Sequence, residues 1–237
     1  LNGSVGRGSA AVDLNTIPTS AIGAVEVLRD GAAAQYGSDA IAGVINVRLR
    51  EAREGGGATL TYGQNVTTVP LLSGDRDETD GETFTAAAWA GLPLGADGFL
   101  TISGEFRDRS ATNRSGPDPR QQYPAAGDPR EASFNRLNHR FGNPNARDIT
   151  LLANAGIPFA NGNELYGFAS YQNREADSAG FYRRALDARN VLAIYPDGFL
   201  PLIAPEVEDY SVGGGLRAQL GEWSADASLV YGRNQID

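Results

Sequence analysis

Alternation of apolar and polar residues is the feature that most constrains the fold of this chain. From residue 58 onwards, apolar side chains recur at every second position in one segment after another. A period of two places them on one face of a β-strand, because successive side chains of a strand point to opposite faces. The sequence therefore predicts a mainly β fold with an antiparallel meander of about seven strands. The apolar rows are residues 58–62, 84–94, 100–106, 149–159, 210–220 and 223–231, and residues 164–174 form a further strand of open register.

The predicted strands are joined by connections that alternate between short and long. Tight turns are expected near Gly95, Asn161 and Gly221. The other connections, over residues 67–81, 110–148 and 176–206, are far longer than the loop of a soluble hairpin. Short turns on one rim and long loops on the other are typical of outer-membrane β-barrels. Evenly spaced strands also occur in β-sandwiches, lectin domains and propellers, so periodicity alone leaves a soluble carbohydrate-binding β-domain as an alternative.

Composition excludes several classes of function. The chain has no Cys, which removes disulfides and thiol catalysis. His139 is its only histidine, and no spacing singles out paired catalytic carboxylates or a set of metal ligands. The net charge of −9 argues against a nucleic-acid partner. A transmembrane helix needs a run of about 18 apolar residues, which is absent, whereas a barrel strand needs only about 10 alternating ones. We expect no enzymatic activity, no metal site and no cofactor.

Residues 12–50 combine two strands with a glycine-rich connection. Residues 24–28 alternate as a half-buried strand does, and the sequence Arg29-Asp30-Gly31 interrupts them. A short alanine run and a Tyr-Gly-Ser sequence lead into a second predicted strand at residues 41–49. The whole string reads EVLRDGAAAQYGSDAIAGVINV.

This string resembles the last part of the plug domain of TonB-dependent outer-membrane receptors. There, a glutamate strand, an Arg-x-Gly turn, a Tyr-Gly-x-x-Ala core and a Gly-Val-Ile-Asn strand follow in this order. The resemblance implies that residues 1–50 are the C-terminal part of a plug domain. It implies that residues 51–237 are the N-terminal part of a transmembrane β-barrel of about 22 strands. A signal sequence, a TonB box, the first part of the plug and most of the barrel wall would then lie outside this chain.

The resemblance also implies a function and partners. Such receptors import scarce nutrients across the cell outer membrane, most commonly a ferric siderophore. Oligosaccharides, cobalamin and peptide-like ligands are the alternative substrates. The implied partners are the TonB–ExbB–ExbD energy-transducing complex, outer-membrane lipid and lipopolysaccharide, and a small-molecule ligand captured by extracellular loops and plug.

A first group of candidate site residues lies in the plug-like string: Arg29, Gly31, Tyr36, Gly37 and Gly43. The resemblance implies that Arg29 lies between plug and barrel wall and pairs with glutamates of barrel strands. A surface arginine that pairs with Asp30 or Glu26 is the alternative. We interpret the glycines as positions where a side chain would block a turn or close packing.

A second group lies in the long connection after residue 106. Residues 107–147 contain eight arginines against four acidic residues, in a chain that is acidic as a whole. Such a positive lip is expected to attract an anionic ligand or to hold the phosphates of lipopolysaccharide. An ordinary solvated loop of mixed charge is the alternative. The candidate ligand-binding residues are Arg114, Arg120, Arg130, Arg136, His139 and Arg140.

Overall fold

The computed structural model describes residues 2–3, 10–11, 14–29, 43–159 and 162–237. Its N-terminal segment, up to residue 50, contains two pairs of antiparallel strands and two 3₁₀ turns. The elements are β1 (Asn2–Gly3), β2 (Ala10–Ala11), η1 (Leu14–Thr16), η2 (Thr19–Ala21), β3 (Ile22–Arg29) and β4 (Gly43–Leu49). β3 pairs with β4, so the two strands that the sequence patterns predict form one hairpin.

The remainder of the chain forms one antiparallel sheet. Its long strands are β5 (Gly56–Val69), β6 (Arg76–Leu94), β7 (Gly98–Arg109), β8 (Asn145–Pro158), β9 (Glu164–Ala179), β13 (Glu206–Leu220) and β14 (Trp223–Ile236). The connections contain η3 (Pro129–Ala132), β10 (Arg183–Arg184), β11 (Gly198–Phe199) and β12 (Leu202–Ile203). The strand order β14-β13-β9-β8-β7-β6-β5 follows the chain. This confirms a mainly β fold with an antiparallel meander of seven long strands.

Glycine makes the tight turns of the meander possible. Gly95, Gly162 and Gly221 have φ of +66°, +76° and +67°, a backbone region that favours glycine. The prediction of tight turns at these places is confirmed, although Asn161 itself lies outside the described residues. The long connections after β7 and β9 are also present.

One predicted long connection, over residues 67–81, is wrong. The chain between β5 and β6 contains only residues 70–75, because the two strands continue past the expected loop ends. Thr68 Oγ1 donates to Asp77 Oδ1 at 2.8 Å across this extension. β-Branched residues suit a strand, so the run from Thr67 to Val69 extends the ladder.

The two faces of the sheet differ in polarity. One face, which we call the outer face, carries large apolar side chains that are exposed, and Leu60 and Leu229 expose 74% and 85% of their surface. The inner face is mainly polar and is buried along its central strands, where Thr101, Ser103 and Gln172 expose no more than 2%. A water-soluble sandwich has the reverse arrangement, with its apolar side chains in the core. Further exposed residues of the outer face are Phe84, Ile102, Ile149, Leu151, Leu165, Val212 and Leu216.

The apolar outer face ends at a defined margin near the long connections. Aromatic residues mark it, and the ring centroids of Phe84 and Phe106 lie 6.5 Å apart and those of Tyr210 and Tyr231 6.1 Å apart. Two residues beyond each aromatic residue, on the side of the long connections, the outer-face position is charged. These charged residues are Glu82, Asp108, Glu208 and Arg233. Among the described residues, no helix is long and apolar enough to span a membrane.

Candidate functional site

The N-terminal segment is seated on the polar inner face of the sheet through η2. Thr19 donates twice to Glu105 Oε2, from its backbone N at 3.0 Å and from Oγ1 at 2.6 Å. Ser20 Oγ donates to the carbonyl oxygen of Gly104 at 3.3 Å. Further along the sheet, Gln172 Nε2 donates to the carbonyl oxygen of Asn15 at 2.9 Å. The N-terminal segment thus provides partners for polar groups of the sheet, which we call the wall, that would otherwise be buried without hydrogen bonds.

Arg50 closes the base of the β3–β4 hairpin. Its backbone N donates to the carbonyl oxygen of Ala21 at 2.7 Å. Its guanidinium donates to the carbonyl oxygens of Ser20 at 3.1 Å and Ile22 at 3.3 Å. The same guanidinium lies 4.4 Å from the ring centroid of Trp89, within cation–π range. Arg50 therefore ties the start of β3, the end of β4 and the wall together.

The chain that follows Arg50 is bound to the wall as well. Ala52 N donates to Thr101 Oγ1 at 2.8 Å, and this hydroxyl donates back to the Ala52 carbonyl oxygen at 3.3 Å. Asn154 Nδ2 donates to the carbonyl oxygen of Arg50 at 3.2 Å. Gly91 lies directly beneath this stretch, and a Cβ there would come within 2.7 Å of the Ala52 carbonyl oxygen. A larger residue at position 91 would push the chain at Ala52 away from the wall.

The two long connections, residues 110–144 and 180–199, fold together into one unit that we call the cap. Leu186 N donates to the carbonyl oxygen of Gln122 at 3.0 Å, and Arg184 Nη1 donates to that of Gln121 at 2.8 Å. Tyr123 Oη donates to Asp197 Oδ1 at 2.8 Å. The side chain of Gln122 is fully buried between the two connections. The cap is therefore an ordered structure with polar links throughout.

A turn of the form Asp-x-Arg occurs three times in the cap. In each copy the arginine backbone N and Nε donate to one carboxylate oxygen, and Nη2 donates to the other. All nine distances lie between 2.7 and 3.0 Å. Such bidentate, charge-assisted pairs fix the geometry of the turn. The copies are Asp118–Arg120, Asp128–Arg130 and Asp187–Arg189.

The first of these turns is buried at the centre of the cap. The Asp118 side chain exposes only 1% of its surface. Burial raises the pKa of its carboxyl, but hydrogen bonds from Arg120, Gln122 and Asn138 outweigh burial, so the pKa lies well below its ordinary value. Burial, aided by the bond to Asp197, raises the pKa of Tyr123 to about 12. Asp118 is thus charged, and Tyr123 neutral, at physiological pH.

His139 lies in the aromatic core of the cap. Its ring centroid is 5.4 Å from that of Phe141 and 6.1 Å from that of Tyr182. Arg120 Nη2 lies 3.1 Å from His139 Nε2, and because arginine only donates, Nε2 must accept. His139 Nδ1 then carries the proton and donates to Asn138 Oδ1 at 2.7 Å. Both nitrogens of the neutral imidazole are therefore engaged within the cap.

Comparison with known families identifies the N-terminal segment. Residues 1–44 match the family model of the TonB-dependent receptor plug domain. This match supports a fragment of a TonB-dependent receptor. Members of the plug family are transporters that act with TonB, and the family implies an outer-membrane location. No solved structure matches the chain.

The structure places the candidate residues of the plug as follows. Arg29 is the exposed last residue of β3, and among the described residues no carboxylate forms an ion pair with it. Gly43 pairs with Arg29, has φ of +139°, and a Cβ there would lie 2.4 Å from the Leu28 carbonyl oxygen. Gly31, Tyr36 and Gly37 lie outside the described residues.

The candidate arginines of the receptor's long loop are each paired with a carboxylate. Some partners lie in distant strands, as with Arg114 and Asp80 of β6 at 2.6 Å, and Arg140 and Asp177 of β9 at 2.5 Å. Arg136 pairs with Glu131 at 2.7 Å, and the Asp-x-Arg turns account for the others. The positive surplus that the loop sequence indicates is therefore offset locally, and these guanidinium groups brace the cap. Their role in ligand binding stays a prediction.

Sequence reasoning missed the residues that seat the plug. Thr19, Arg50, Thr101 and Gln172 belong to no motif, and their contacts join positions 28 to 157 residues apart. One signal was present, because Thr101, Ser103 and Glu105 are the polar positions of an alternating strand. A polar row opposite an apolar row marks a face that a plug or water covers.

His139 predicts a pH dependence of the cap. Burial, and to a lesser extent Arg120, lowers the pKa of His139, while Asp118 raises it. With the net pKa below that of the unfolded chain, the unfolded cap binds the proton first. Cap stability should therefore fall as the pH is lowered from about 6.5 and level off below the folded pKa. Hydrogen exchange of cap amides in the full-length receptor, corrected for intrinsic rates, measures this. In His139→Gln the fall should disappear, and an unchanged fall would assign it to another group.

Proposed function

We propose that this chain is part of an importer in the outer membrane, with the sheet as barrel wall and the cap on the extracellular side. The observation that carries the proposal is the polarity of the sheet. Its outer face is apolar and exposed, and its inner face is mainly polar and is contacted by the plug segment at its central strands. That arrangement suits a wall with lipid outside and a plug inside. It also disfavours the alternative of a soluble carbohydrate-binding β-domain.

The height of the apolar face supports a membrane position. On β13 the outer-face row runs from Tyr210 to Leu220 and includes Val212 and Leu216. A strand rises about 3.4 Å per residue and barrel strands tilt by about 40°, so this row is about 26 Å tall. The apolar band of outer-membrane barrels is about 25 Å tall. The aromatic margin and the charged residues beyond it then lie at the extracellular interface.

We place the sheet in a barrel of about 22 strands, of which it supplies seven. Among the described residues, β5 and β14 are the edge strands of the sheet. Further strands of the receptor would pair these edges, as barrel closure requires. Residues 1–50 then form the C-terminal part of the plug, and residues 51–237 the first part of the wall.

The candidate residues have these proposed places in the receptor. Arg29, at the exposed end of its hairpin, contacts wall strands beyond those described. The six candidates of the long loop lie on the cap side, where an incoming ligand arrives first. Ligand is captured by cap and plug, and TonB, with ExbB and ExbD, draws on the plug to open a path. Lipid and lipopolysaccharide contact the outer face.

A ferric siderophore is the first substrate to test, because it is the commonest class that the family resemblance implies. Cells that lack the gene and cells complemented with the full-length gene are compared for uptake of radioiron bound to a hydroxamate or a catecholate siderophore. We expect accumulation that requires TonB, the proton gradient and the gene, with the protein in the outer-membrane fraction. Labelled cobalamin, a maltooligosaccharide and a short peptide are tested in parallel. Uptake of one of these instead would change the substrate, and a soluble product would refute the proposal.

A further inference from the structure

We propose that the residues at the base of the plug hairpin form a mechanical clasp that resists tension applied from the N-terminal side. The clasp comprises Thr19, Ser20, Arg50 and Ala52 with the wall groups that hold them. Its biological meaning rests on the proposed function, in which TonB applies that tension. Its mechanical property does not depend on transport.

The clasp joins the segment that leads into β3 to the segment that follows β4. β3 begins and β4 ends at the same point, because Arg50 N bonds to the Ala21 carbonyl oxygen. The Arg50 guanidinium bridges the carbonyl oxygens on both sides of this bond, those of Ser20 and Ile22. Pulling β3 away from β4 must break these three bonds first.

Wall anchors hold both sides of the clasp. On the entering side, Thr19 makes two hydrogen bonds to Glu105. On the leaving side, the Thr101 hydroxyl binds both backbone polar groups of Ala52. These anchors act one after the other, so tension from the N-terminus loads the Thr19 bonds first and reaches the hairpin only after they have broken.

The hairpin beyond the clasp has little to resist tension. β3 is exposed along nearly its whole length, and Val25, Val27 and Ile45 expose 54%, 59% and 61% of their surface. A hairpin pulled apart from its base breaks its ladder bonds one pair at a time. Without the Arg50 bonds it would therefore open as soon as the Thr19 anchor failed, so these bonds are what keeps the hairpin closed.

The test is to pull the full-length receptor, in a lipid bilayer, from its N-terminal end with optical tweezers. Opening of the hairpin releases residues 20–50, about 110 Å of chain at about 3.5 Å per residue. In the parent receptor we expect this 110 Å step as a separate event at a higher force than the release of the preceding residues. In Arg50→Ala the step should merge with the preceding release into one longer step.

Two further variants make the outcome decisive. Arg48→Ala is the matched control, because Arg48 lies on the same hairpin, is exposed and pairs only with Glu26 among the described residues. It should keep the separate step. Arg50→Lys retains a cation near Trp89 but cannot span two carbonyl oxygens, so it should also lose the step even if Arg50→Ala fails to assemble. A separate 110 Å step in Arg50→Lys, at the parent's force, would overturn the proposal. Since neither TonB nor ligand is present, failure of the transport proposal leaves this result unaffected.

Discussion

Asp148→Ala should destabilise the receptor wall by about 3 kcal/mol, near the lower end of the cost of breaking a buried ion pair. Asp148 lies on the inner face of the sheet, and its side chain exposes 4% of its surface. It accepts from Arg107 Nε and Nη2 at 3.1 and 3.0 Å, and from Arg174 Nε on the other side. Its loss removes the carboxylate that joins β7, β8 and β9. Thermal unfolding of the full-length receptor in detergent measures the change.

The matched control for this prediction is Asp108→Ala. Asp108 pairs with Arg147 between β7 and β8, at nearly the same height but on the outer face, where both side chains are about half exposed. Exposed ion pairs contribute little, typically less than about 1 kcal/mol. We expect Asp108→Ala to unfold close to the parent temperature. Equal effects of the two substitutions would show that burial on the inner face is not what makes Asp148 important.

Asp118→Ala should unfold the cap while the wall remains intact. The substitution leaves the Arg120 guanidinium without its carboxylate and removes one of the two acceptors of Asn138 Nδ2. The Asp118 side chain exposes 1% of its surface and that of Arg120 41%, so the variant loses charge-assisted hydrogen bonds, each worth about 2 kcal/mol, without burying a bare guanidinium. That loss is large beside the stability of a loop structure. Limited proteolysis of the full-length receptor should then cut within residues 110–144 at rates well above those of the parent.

Asp187→Ala tests whether burial or turn geometry is responsible. The Asp187–Arg189 turn has the same three hydrogen bonds, but its aspartate and arginine side chains expose 16% and 67% of their surface, against 1% and 41% for Asp118 and Arg120. We expect proteolysis close to that of the parent. Rapid cleavage of both variants would show that the turn itself, and not burial, is responsible.

The contribution of Asp118 to cap stability has a defined pH range, because the pKa of its carboxyl is lowered in the folded state. It is fully present above the ordinary aspartate pKa of about 4 and is lost as the pH falls below that value.

Local patterns predicted the strands of this protein because a period of two depends only on neighbouring residues. They also predicted the tight turns, since glycine marks the positions with positive φ. The register of residues 164–174 could not be predicted, because both faces carry apolar residues. The structure turns Tyr171 outward and Gln172 inward, where Gln172 bonds to Asn15. A contact 157 residues away therefore decides what the local pattern leaves open.

The charge balance of the loops also depends on contacts that the local sequence does not show. A count over residues 107–147 gives a surplus of four positive charges, since eight arginines face four acids. The fold adds Asp80 and Asp177, which belong to strands on either side of the loop. The count was correct for the segment, but ion pairs form in space, and their partners are set by sheet register. The polar contacts of the N-terminal segment were equally hidden, because they join that segment to strands far along the chain.

The repeated Asp-x-Arg turn has a consequence for how such loops can vary. Each copy supplies its own counter-charge and its own hydrogen bonds within three residues. An insertion or duplication that carries one complete turn therefore leaves the net charge of the cap unchanged and needs no new partner elsewhere. Loops assembled from such self-contained pieces can be lengthened or exchanged while the wall beneath them stays the same.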